Sequence, residues 1–182
     1  PLYKDILKSY SQVLLERGYH SLFFPGGTRC RSNIVESKLK LGLLGTAVNA
    51  YVENLKRGED SRIYICPVTI NYNLVLEAES LIREYLRREG GARYILEDDE
   101  FDQISTIIRF VSNTVTMDAT TVLHYGQPMD VFGNRVEADG ESYDERGRMV
   151  DPTDFVKSLR TGEVVDDVAR DREYTRFTGT RI

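Results

Sequence analysis

The stretch richest in chemistry in this 182-residue chain is Phe24-Pro25-Gly26-Gly27-Thr28-Arg29-Cys30-Arg31-Ser32. Adjacent glycines tolerate the backbone conformations that aim successive N–H groups at one point, forming a concave nest for an anion. Arg29 and Arg31 add planar guanidinium donors that match phosphate oxygens, and Lys38 or Lys40 adds a point charge. Between Pro25 and Leu41 four cations stand against Glu36 alone, a local balance of +3 in a chain whose net charge is −5. A basic, glycine-bearing loop in otherwise near-neutral surroundings suits a small anionic ligand rather than a polymer. A glycine turn followed by a solvated basic loop has the same composition, so the residues alone leave both readings open.

Other chemistries find little support. The sequence holds no G-x-S-x-G elbow, no G-x-x-x-x-G-K-[ST] loop and no H-E-x-x-H. His20, His124, Cys30 and Cys66 are scattered along the chain and read as structural residues, so neither a metal nor a cofactor is expected. Two cysteines are too few for a disulfide framework. The acidic run 137–151 lacks the spacing of a calcium loop and reads as a solvated face. Residues 137–173 carry twelve acidic against six basic side chains, and no basic face of the kind a nucleic acid needs is visible. No apolar stretch approaches the roughly 18 residues of a membrane span.

The elements that must position the loop follow from apolar periodicity. Tyr3, Ile6, Leu7, Tyr10, Val13 and Leu14 recur at helical spacing, with Gly18 as a stop. Ser21–Phe24 is short, apolar and closed by Pro25, which predicts a buried strand feeding the loop, with Tyr19, Phe23 and Phe24 in the core. Leu44, Ala47, Val48, Tyr51, Val52 and Leu55 predict a second, core-packed helix ending near Gly58. Arg62–Ile70 reads as a strand that ends or bends at Pro67. Helices are expected over 77–89 and 101–111, and a strand over 119–125. Helix and strand patterns alternate, predicting an α/β fold with a mixed sheet flanked by helices. From 133 the chain turns polar and acidic, and only Phe155–Leu159 looks core-facing, so residues 133–182 are expected to form an acidic extension.

The loop also carries a resemblance. FFPGGTRCRSN with Lys40-Leu-Gly42 downstream resembles the third conserved block of the glycerolipid acyltransferases, roughly F-P-E-G-T-R-S-R followed by K-x-G. Ile65-Cys-Pro67-Val68 is similar to the fourth block. Tyr72–Glu77 is similar to the Y-x-x-V-x-E found beyond it in glycerol-3-phosphate acyltransferases, and Leu123–Pro128 to a late strand ending in F-G-x-P. The resemblance spans about residues 1–132, implying part of an acyltransferase domain there. It implies transfer of an acyl group from an acyl thioester, acyl-CoA or acyl carrier protein, to the hydroxyl of glycerol-3-phosphate, at a membrane surface on the cytoplasmic face.

In this picture Gly26, Gly27, Thr28, Arg29, Arg31 and Lys40 hold the acceptor phosphate. Two departures qualify the transfer. The family's catalytic H-x-x-x-x-D is absent: Pro25 and Met129 stand five residues after His20 and His124. The chain is therefore expected to be the C-terminal part of a longer acyltransferase, inactive alone, with no catalytic residue of its own. Gly26 stands where many members have glutamate, so acceptor preference does not carry over. Lysophosphatidate is the alternative acceptor, and a non-catalytic anion-binding module the alternative role.

Overall fold

The computed structural model describes residues 2–26, 38–59, 62–72 and 120–182. Two compact units emerge. The first comprises Pro1–Gly27, Ser37–Val68 and Tyr125–Ile182, and the second Thr28–Glu36 and Thr69–His124. The described residues mix helices with antiparallel strands: α1 (Leu2–Glu16), α2 (Gly45–Lys56), β1 (Tyr64–Ile65), β2 (Val68–Tyr72), β3 (Thr121–Tyr125), β4 (Met129–Asp130), β5 (Arg135–Val136), β6 (Ser142–Tyr143), β7 (Met149–Val150) and α3 (Val168–Gly179). The helices expected over 77–89 and 101–111 lie outside the described residues. In the second unit β2 pairs with β3, and every residue of both strands is exposed.

Both helices of the first unit that lead the chain stop where glycine permits. Gly18 (φ 76°) and Gly58 (φ 70°) adopt the left-handed conformation that closes a helix, and Tyr19 N–H and Glu59 N–H reach back to the Leu14 and Asn54 carbonyls at 3.0 Å. α2 buries the expected stripe, Leu44, Ala47, Val48, Tyr51 and Val52, with Leu55 partly covered. α1 packs on α2 by a different face from the apolar one. Its buried residue is Ser11, whose hydroxyl lies 3.1 Å from that of Thr46, while Leu2, Tyr3, Ile6, Tyr10 and Val13 are exposed.

The strand expected over Ser21–Phe24 does not form, and the core assignment fails there too: Leu22 is 80% and Phe24 71% exposed, Tyr19 is exposed, and Phe23 is half-buried. A strand exists only through a hydrogen-bonding neighbour, and none pairs with this segment among the described residues. At Pro67 the expectation holds. β1 and β2 flank Cys66-Pro67, and the Pro67 carbonyl, which a ladder would have used, accepts from Gly126 N–H at 2.8 Å.

A five-stranded antiparallel sheet in the order β1-β4-β5-β6-β7 completes the first unit. Aspartates build its turns. Asp130 Oδ1 accepts from the Phe132 and Asn134 N–H groups, and Asp144 Oδ1 from those of Arg146 and Arg148, all at 2.9 Å. Much of the acidic character of 137–151 is thus turn chemistry in which carboxylates satisfy backbone donors. These hydrogen bonds, the Arg148 backbone first and its side chain second, hold the Asp144 carboxyl below the usual carboxylate range. A depressed folded-state value means that the turn's stabilisation is present above the ordinary aspartate range and lost as pH falls through the folded value. The Arg148 amide shift, followed by NMR, is expected to titrate below the midpoint of an unstructured aspartate, and Asp144→Asn to abolish that titration.

The core joins α2 to this meander and to α3. Phe132 lies 5.4 Å from the Tyr51 ring, 5.1 Å from Phe155 and 5.0 Å from Tyr174, measured between centroids. α3 starts at Asp167, whose Oδ1 caps the Ala169 and Arg170 N–H groups, and it is tied down by Thr178 Oγ1, which donates to the Val131 carbonyl at 3.2 Å. Residues 133–182 thus contribute Phe155, Val156 and Tyr174 to the same packing as α2 and the 131–132 pair.

Candidate anion site

Of the six residues expected to bind phosphate, Gly26 and Lys40 are described; Gly27, Thr28, Arg29 and Arg31 lie outside the described residues. Gly26 sits half-buried in the turn that follows residues 19–24, and Lys40 is exposed. The structure brings these two ends together. Lys40 N–H donates to the Pro25 carbonyl at 2.7 Å, so the chain enters and leaves the glycine-arginine loop at one point. A loop closed at its base costs less entropy to hold around a ligand than one with separated ends.

Sequence reasoning missed a further cation here. A Cβ placed on Gly42 would lie 3.1 Å from Cε of Lys8, so the α1 lysine crosses the segment that follows Lys40. Nothing in the spacing along α1 singles out Lys8; only the packing of α1 on α2 reveals it. The loop base therefore carries the side chains of Lys38 and Lys40, both exposed, with Lys8 over Gly42. This is chemistry for attracting and holding an anion. Proton transfer needs something else, and His20 and His124, both exposed, stand in no H-x-x-x-x-D pattern.

A cleft of about 470 Å³ opens in the same unit, and neither Gly26 nor Lys40 is among its described lining residues. Arg62, Tyr64, Asp130 and Glu141 are among its polar residues, and the fold already employs them. Arg62 Nη1 and the Tyr64 hydroxyl donate to the Gly140 carbonyl at 3.1 and 3.3 Å, Arg62 pairs with Glu141 at 3.6 Å, and Asp130 holds its turn. Among the described residues no three His, Cys, Asp or Glu side chains gather where a metal ion could sit. None of the described helices is long and apolar enough to cross a membrane.

Comparison with known proteins gives two relatives. The chain is 27% identical over 129 residues to the glycerol-3-phosphate acyltransferase of Aeromonas hydrophila subsp. hydrophila, covering 71% of this chain and 14% of the relative. It is 24% identical over 130 residues to the glycerol-3-phosphate acyltransferase of Pseudoalteromonas atlantica, with the same coverage of both chains. The chain thus spans 14% of the length of the curated relatives it matches. No family model matches the sequence, and no solved structure matches it. The two relatives bear out the resemblance to the glycerolipid acyltransferases.

Proposed function

We propose that this chain, a relative of the glycerol-3-phosphate acyltransferases, is part of an O-acyltransferase acting on glycerol-3-phosphate and supplies its acceptor-phosphate site. The observation that carries the reading is the similarity to two proteins of that name over 71% of the chain. The closed loop base, with Lys40 N–H on the Pro25 carbonyl, supports it independently.

In this reading the backbone N–H groups of Gly26 and Gly27, the Thr28 hydroxyl and the Arg29, Arg31 and Lys40 side chains hold the phosphate and so fix the glycerol hydroxyl. A histidine outside these 182 residues removes the hydroxyl proton, its ring oriented by an aspartate. The oxygen then attacks the carbonyl of an acyl thioester, the carbon–sulfur bond breaks, and the thiol of coenzyme A or acyl carrier protein leaves with a proton. The acylated product carries a long apolar chain that partitions into lipid, so the reading includes a membrane surface, on its cytoplasmic face.

Acyl-transfer assays with glycerol-3-phosphate and a labelled long-chain acyl-CoA test the proposal, run on this chain and on a polypeptide extended upstream to include an H-x-x-x-x-D block. Activity in the extended polypeptide alone is expected. Activity with lysophosphatidate and none with glycerol-3-phosphate would change the acceptor. Binding of glycerol-3-phosphate without turnover in either form would favour a non-catalytic module.

A further inference from the structure

All described lining residues of the 470 Å³ cleft belong to the first unit. Its volume falls among those of small-molecule sites, about 300–1,000 Å³. Residues directly opposite in an antiparallel pair share a face of the sheet. Tyr64 stands opposite Asp130 and Ser142 opposite Val150, and all four line the cleft. Tyr51 and Leu55 of α2 add an apolar wall.

Once the bonds within the fold are counted, two kinds of polar group remain. The first is a hydroxyl. Ser142 is 3% exposed, and its side chain makes no hydrogen bond among the described residues. Asn54 Nδ2 is also unpartnered but sealed from solvent, whereas the Ser142 hydroxyl keeps access to the cleft. A buried hydroxyl without a partner is costly, so this one leaves its bond to whatever fills the cleft.

The second is negative charge. Asp130, Glu141 and Asp151 line the cleft with one cation, Arg62, which pairs with Glu141 at 3.6 Å. Asp130 is 4% exposed and accepts only from neutral donors, the Phe132 and Asn134 N–H groups and the Asn134 amide. Asp151 accepts from the Thr153 N–H at 2.9 Å. Neither aspartate has a cationic partner among the described residues. Asp151 directly follows Val150, the cross-strand partner of Ser142, so hydroxyl and carboxylate stand at the open end of the β6–β7 hairpin.

We propose that the cleft binds an organic amine, its primary ammonium group seated on Ser142 and Asp151 and its apolar body against Tyr51 and Leu55. An ammonium group brings three N–H donors and a positive charge, matching the unused hydroxyl and the unpaired carboxylates. Asp130 adds its charge from a buried position, where salt screens it less. A metal ion is a poorer match, because no three His, Cys, Asp or Glu side chains gather among the described residues. The inference goes beyond the acyltransferase reading and does not depend on it.

Three probes of one shape test the proposal: cationic phenethylamine, neutral 2-phenylethanol and anionic 3-phenylpropionate. Each is titrated into the 182-residue chain and followed by amide NMR. Phenethylamine is expected to saturate, to shift the Ser142 and Asp151 amides, and to bind about tenfold more tightly than 2-phenylethanol. No saturation is expected with 3-phenylpropionate. Ser142→Ala and Asp151→Asn should each weaken phenethylamine about three- to tenfold and keep the unfolding temperature. The serine hydroxyl bonds nothing in the fold, and asparagine retains an oxygen to accept from Thr153. Glu163→Gln, which neutralises a carboxylate outside the described lining, should bind phenethylamine like the parent.

Equal affinity for the three probes would reduce the cleft to an apolar hollow and overturn the proposal. Phenethylamine binding unchanged in both cleft variants, or weakened as much by Glu163→Gln, would place the amine on the acidic surface at large and overturn it too. No binding of phenethylamine by the parent chain would leave the cleft without this role.

Discussion

Replacing Arg29 with alanine is expected to raise the glycerol-3-phosphate concentration needed for half-saturation by roughly 10- to 100-fold. That range follows from the value of a hydrogen bond to a charged group, about 1.5–3 kcal/mol, where each 1.4 kcal/mol is a factor of ten. Arg29 follows directly on Gly26-Gly27-Thr28, so its guanidinium is the first cation the chain offers to an anion held by those N–H groups. A planar guanidinium fork can meet two phosphate oxygens at once, which an ammonium group cannot do. Arg29→Lys should therefore recover part of the loss through charge but not all of it. Arg31→Ala is expected to cost less, because Arg31 stands two residues further from the glycine pair. Steady-state kinetics on the upstream-extended polypeptide, or titration of this chain with glycerol-3-phosphate, gives the answer. An unchanged half-saturation constant and unchanged turnover for Arg29→Ala would remove the loop from acceptor binding.

How much of this was legible in the residues depends on whether the signal is local. α1 and α2 could be read because apolar spacing and a following glycine are properties of one segment, and Gly18 and Gly58 do close their helices. The kink at Pro67 was legible for the same reason: proline lacks the N–H a ladder needs. What failed depended on neighbours. Ser21–Phe24 has the composition of a strand, but composition supplies no hydrogen-bonding partner. On α1 the apolar stripe was visible, yet packing on α2 buries Ser11 and leaves Ile6 and Tyr10 exposed. α3 escaped notice because it carries no long apolar stripe: its buried residues are Thr175 and Thr178, with Tyr174 partly buried against the core. The meander escaped because its strands are two residues long, too short for alternation to register, while its aspartates read as surface charge.

At the candidate site the contrast is similar. The types that could bind phosphate are written contiguously from Gly26 to Arg31, so composition reveals them. The closure of Pro25 on Lys40 and the approach of Lys8 to Gly42 join residues from three separate segments. No spacing rule along one strand or helix reports such contacts.

Phe132→Ala is expected to be the most destabilising single substitution in the first unit, costing about 3–5 kcal/mol, the usual range for deleting a buried ring. Phe132 is 1% exposed and touches three other rings, from α2, from the short 3-10 helix Pro152–Phe155 and from α3. Against a total of about 5–15 kcal/mol for an ordinary domain, that loss removes much of the margin. The ring cluster is also where the two halves of the unit meet, so the cavity cannot be closed by moving one element alone. Phe132→Leu should lose less, because a branched aliphatic side chain refills part of the volume. Leu159 provides the opposite case. It ends the 155–159 stretch that looks core-facing in sequence, yet it is 106% exposed, and Leu159→Ala should change stability by no more than about 0.5 kcal/mol. Urea unfolding followed by tyrosine fluorescence, in a chain with eleven tyrosines and no tryptophan, separates the two cases. A loss below about 1 kcal/mol for Phe132→Ala, well short of the buried-ring range, would mean that the meander and α3 fold independently of α2.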